Sequence, residues 1–127
     1  MNEINHEICW NELITTDVKK SVEFYSKLFH WTHKEIECGG MTYTIFKTHK
    51  KEVAGLMKKP PQAECNCDKG PMWIPYTFVE NVDKSAAKAQ ELGAKILLEP
   101  KDIPDVGRIA IIEDPCGAIM GLYTGEM

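Results

Sequence analysis

A chain of 127 residues with 43% hydrophobic and 27% charged side chains fits one globular domain that closes a core without disulfide staples. The formal net charge of −4 and the lack of a basic stripe argue against a nucleic-acid partner. No apolar run approaches the roughly 18 residues of a membrane span, and the opening MNEINHE is acidic and polar, so a cytoplasmic protein with no membrane partner is expected.

In chain order, Cys9 to Thr15 is apolar and β-prone, a first strand. Asp17 offers a side-chain acceptor to a helix start, and Val18, Val22, Tyr25, Leu28 and Phe29 follow at helical spacing. Trp31 to Cys38 alternates loosely and stops at Gly39-Gly40, a turn signal. The β-branched and aromatic run from Met41 to Phe46 predicts a strand, and Glu52 to Met57 another after a turn over 49–51. Residues 59–71 carry three prolines and no periodicity, which marks a linker. Beyond it, strand (73–80), helix (83–92, closed by Gly93) and three strands (94–99, 107–112, 118–124) repeat the earlier order.

The repetition is also literal. Val18/Val82, Lys20/Lys84, Ser21/Ser85 and Leu28/Leu92 are all displaced by one interval, and both halves close on Gly-Leu, Gly55-Leu56 and Gly121-Leu122. Self-similarity of this kind predicts two equivalent supersecondary units. The expected architecture is α+β: two βαβββ modules whose mixed sheets curl around a central cleft, with the helices packed outside. One domain over 1–127 then comprises a module at about 7–58, the linker at about 59–71 and a module at about 72–125.

The five cysteines, Cys9, Cys38, Cys65, Cys67 and Cys116, are read as reduced thiols, the default without an export signal. Cys65-Asn66-Cys67 lacks the second pair that a closed zinc site usually has. Among the histidines, His6, His30 and His49 fall at the chain start, past the helix and in a turn. His33, on a strand, is the best histidine candidate for a site.

The opening Trp10-x-Glu-Leu-x-Thr-x-Asp17, then Phe24-Tyr25-x-x-Leu28-Phe29-x-Trp31, Val106-Gly107-Arg108 and Asp114-Pro115-x-Gly117, carried on two βαβββ units, resemble the vicinal oxygen chelate superfamily. That group includes glyoxalase I, extradiol dioxygenases, fosfomycin resistance proteins and bleomycin resistance proteins. The resemblance runs from about residue 7 to 124. It implies a divalent ion held by His, Glu or Gln from the first and last strand of each unit. Those four positions fall here on Trp10, Gly55, Ile74 and Gly121, none of which offers a suitable donor. The expectation is therefore a small-molecule-binding or sequestering protein with no metal and no cofactor. On the resemblance, a homodimer is expected too.

Strand alternation sets Glu12 beside Trp10 and Tyr76 beside Ile74 on the cleft face. With Tyr43 and Met57 they form an aromatic and apolar wall around one carboxylate, the make-up of a small-molecule pocket. Glu12 is a candidate general base if its surroundings raise its pKa, against the simpler reading of a rim ion pair. Arg108, the only arginine, is a candidate clamp for a ligand carboxylate or phosphate, against a pairing with Asp102, Asp105 or Glu113. The alternative function is a lyase, isomerase or dioxygenase of the same superfamily. It would use Glu12 as base, or a divalent metal relocated to His33 or to cysteines.

Overall fold

The computed structural model describes residues 6–38, 41–59, 70–104 and 106–125. The motifs at Gly39-Gly40, at Cys65 and Cys67, and at Asp105 lie outside them. Two compact units emerge among the described residues: one holds Trp10–Lys59 and 70–74, the other the residues up to Cys9 and those from Pro75 onward. The division thus falls inside the first and fifth strands.

The first unit contains β1 (Ile8–Thr15) from Trp10 onward, α1 (Val18–Phe29), β2 (Thr32–Cys38), β3 (Met41–Thr48) and β4 (Lys51–Lys58). Asp17 caps α1 by accepting from the Lys20 backbone N–H at 3.0 Å, satisfying an otherwise orphaned donor. His30 ends the helix in the left-handed region at φ 60°. The strands run in the order β2-β3-β4-β1, with β1 parallel to β4 and the other pairs antiparallel. Leu13, Phe46, Ala54 and Leu56 form the core under the helix, and Val18, Val22, Tyr25 and Trp31 pack onto it. Trp31, read as strand, precedes β2 and stacks on Tyr25.

The second unit follows the same plan with β5 (Met72–Phe78) from Pro75 onward, α2 (Val82–Glu91), β6 (Lys95–Ile103), β7 (Gly107–Glu113) and β8 (Ile119–Thr124). Its order is β5-β8-β7-β6, with β5 parallel to β8. Asn81 caps α2 through Lys84 N–H at 3.0 Å, and Gly93 follows at φ +103°, a value that L side chains avoid. Val82 and Ala86 bury against Val79, Ala110 and Leu122. Strand β6 runs past its expected end at Glu99 to Ile103. Its pairing with β7 shifts register between Ile96 and Leu98 and again between Leu98 and Lys101. Such irregularity lets a strand absorb Pro100, which has no N–H to donate.

The chain is therefore α+β, two βαβββ modules as the repeat predicts. Among the described residues, no helix is long and apolar enough to cross a membrane.

Candidate functional site

In the first unit, alternation separates two faces of the sheet. Leu13, Phe46 and Leu56 point to α1, so Trp10, Glu12, Tyr43, Ile45, Gly55 and Met57 share the opposite face. On that face Trp10 Nε1 donates to the Tyr43 hydroxyl at 3.1 Å, and the Tyr43 hydroxyl donates to Glu12 Oε2 at 2.9 Å. These distances are those of true hydrogen bonds. One phenol oxygen thus accepts from an indole and donates to a carboxylate. Glu12 is 2% exposed and Tyr43 1%, whereas Trp10 is half-buried and forms the accessible end of the chain of bonds.

Register explains how the three side chains meet. Gly55 pairs with Glu12 on one side and with Ile45 on the other. A Cβ on Gly55 would overlap the Tyr43 hydroxyl and sit 3.1 Å from Trp10 Nε1. Met57 and Ile74, in the same unit, are buried, 2% and 1% exposed.

The remaining expected site residues belong to the other unit. Tyr76 is buried, pairs in register with Gly121, and its ring occupies the space a Gly121 side chain would need. The Tyr76 carbonyl accepts a weak hydrogen bond from the Cys9 thiol at 3.7 Å, and burial pushes that thiol's pKa up. Arg108 grips Asp83 with two bonds, from Nε at 2.8 Å and from Nη2 at 3.0 Å, while Nη1 donates to Asp102 at 3.0 Å. Hydrogen bonding by the two carboxylates pushes the guanidinium pKa up, and the Arg108 bonds hold the Asp83 carboxyl below its ordinary value. Arg108 also lines a cavity of about 590 Å³ with Asp102, Ile103, Val106 and Gly107.

His33 lies on the helix-facing side of β2. It lines a cavity of about 660 Å³ with Val18, Val22, Ser26, Glu35 and Thr44. His30 and His49 both hold left-handed backbone, φ 60° and 53°, so each marks a chain reversal.

A divalent ion does not fit the positions the resemblance implies. Indole, glycine and isoleucine supply no ligand at Trp10, Gly55, Ile74 and Gly121, and tyrosine side chains fill the space at both glycines. Among the described residues, no three His, Cys, Asp or Glu side chains gather closely enough to hold a metal.

What the sequence did not reveal is the bridge from Tyr43 to Glu12. The two residues sit on strands separated by β4, and no local pattern announces a side chain that crosses an intervening strand. The signal available was Gly55, a glycine inside a segment that otherwise reads as strand.

The family model described as the Glyoxalase/Bleomycin resistance protein/Dioxygenase superfamily matches residues 4–120. CFP32 of Mycobacterium bovis, which carries the name of a glyoxylase, is 36% identical over 116 residues, 91% of this chain and 42% of that protein. The anthracycline biosynthesis protein DnrV of Streptomyces peucetius is 27% identical over 124 residues, covering 90% of this chain and 45% of that one. The chain spans less than half the length of these curated relatives. Among solved structures, a Streptomyces coelicolor methylmalonyl-CoA epimerase superposes with a TM-score of 0.64 at 17% identity. It covers 96% of this chain and 99% of that one, a likeness of fold.

Proposed function

The chain belongs to the glyoxalase/bleomycin resistance protein/dioxygenase superfamily, and from that premise we propose that it binds a small molecule without a metal ion. The observation that carries this reading is the Trp10–Tyr43–Glu12 hydrogen-bond chain lying over Gly55, where the family resemblance expects metal ligands. Trp10 presents its half-buried indole to the ligand, with Tyr43, Met57 and Ile74 as aromatic and apolar backing. Glu12, 2% exposed and held by Tyr43, fixes the phenol's orientation instead of meeting a solvent-borne substrate as a base. Ligand contact is assigned to the first unit, because Arg108 and Tyr76 are engaged within their own unit by Asp83 and Asp102 and by the space at Gly121.

The protein acts in the cytoplasm as a homodimer in this reading. Phe24, Leu28 and Phe29 on α1, each at least half exposed, supply apolar surface for such pairing.

The test is a titration followed by intrinsic fluorescence and thermal shift, in buffer containing EDTA. The probes are bleomycin, an anthracycline and a panel of small aromatic and aliphatic metabolites. Saturable binding of at least one probe is expected, weakened roughly tenfold in Trp10→Ala by loss of one aromatic contact. Binding to none, or binding that appears only when EDTA is replaced by a divalent metal, would overturn the proposal.

A further inference from the structure

Gly55 sits in a strand interior with no positive φ to require it, since the left-handed glycines of the described residues are Gly93, Gly107 and Gly117. A glycine there weakens the strand and leaves no side chain to pack. Its reason is space. Strands β3, β4 and β1 lie side by side in that order, and neighbouring strands are about 4.8 Å apart. Tyr43 on β3 and Glu12 on β1 are therefore separated by roughly two such spacings. Their side chains meet only by passing over the β4 residue registered with Glu12, and that residue is Gly55. Any Cβ there would overlap the Tyr43 hydroxyl.

The second unit supports the same logic independently. Gly121 opens the same Gly-Leu dipeptide, lies on a closing strand without positive φ, and has its side-chain space filled by the Tyr76 ring. The fillers differ in what they reach. Tyr76 comes from the adjacent strand β5, in direct register with Gly121, whereas Tyr43 crosses a strand to join a carboxylate and an indole.

We infer that Gly55 is the positioning residue of the site, a notch through which Tyr43 reaches Glu12 and Trp10, so that ligand recognition depends on the absence of a side chain at 55. This rests on the reading of the Trp10–Tyr43–Glu12 chain as the recognition end. Gly55 touches no ligand itself. It acts by letting the phenol hydroxyl pass over β4, which fixes the indole edge that the ligand meets.

The experiment is a proton–nitrogen NMR spectrum of the indole N–H groups of the full chain. The Trp10 resonance is identified by its loss in Trp10→Phe. Tyr43→Phe removes the indole's acceptor, and the shift of the Trp10 resonance in that variant defines the broken bond. Gly55→Ala is expected to move the resonance in the same direction by at least half as much, and to weaken probe binding by the same factor as Tyr43→Phe. Gly121→Ala, the same change in the other unit, is expected to leave the resonance in place. If Gly55→Ala folds poorly, Gly55→Ala with Tyr43→Ala makes room for the new methyl and is expected to be as stable as Tyr43→Ala alone. A wild-type Trp10 resonance in Gly55→Ala, or an alanine penalty that persists in full without Tyr43, would overturn the inference. The NMR readout needs no ligand, so its failure is distinct from a failure to bind any probe.

Discussion

Tyr43 carries two hydrogen bonds through one oxygen, accepting from Trp10 and donating to Glu12, and it does so 1% exposed. Tyr43→Phe removes both while conserving the ring. The cost is expected at about 1–3 kcal/mol, the range for disturbing buried polar partners, read from urea unfolding. Unfolding at the wild-type midpoint would mean that the bonds are not formed in solution. Trp10 and Glu12 were legible as neighbours on one face because alternation along a strand is a local property, whereas the place of Tyr43 and Met57 beside them is set by register between strands. The bond from Tyr43 to Glu12 was not legible, because it depends on strand order, and β4 stands between the two partners.

Helix ends were legible because capping is local chemistry. Asp17 accepts from the backbone N–H three residues on, as its side chain suggested, and Asn81 makes the same bond one residue ahead of a helix expected to begin at Asp83. The limits of β6 were not, since its two register shifts are set by the facing strand. Helix α2 also carries the clearest electrostatic prediction. The Asp83 carboxyl, in its first turn, is held below its ordinary value chiefly by the Arg108 hydrogen bonds. A lowered folded-state pKa contributes stability that is present above the unfolded value, near 4, and is lost as pH falls through the folded one. Asp83→Asn should therefore lower stability at neutral pH and flatten the acid side of the stability curve below about pH 4. Chemical denaturation at several pH values measures this. An unchanged acid slope would show that the pair does not form in solution.

The internal repeat made the whole architecture readable, since two copies of one pattern require two copies of one unit. It gave no account of α1, whose residues all stay short of full burial and whose Phe24 and Leu28 are 57% and 54% exposed. Helical spacing marks an apolar face but not whether another surface covers it. If α1 is the pairing surface of a dimer, Leu28→Lys should shift the mass seen by light scattering from two chains to one. A wild-type that elutes as a single chain would remove the homodimer from the account.

Metal independence is the claim on which the functional reading turns, and metal content tests it most directly. The untagged protein would be purified without chelators, offered nickel, zinc, manganese and iron(II), desalted and analysed by plasma mass spectrometry. The structure predicts far less than one equivalent of any of them, because Trp10, Gly55, Ile74 and Gly121 provide no ligands and tyrosines fill the space at both glycines. Close to one retained equivalent of a single metal would contradict the account and return the chain to the metal-dependent members of its family.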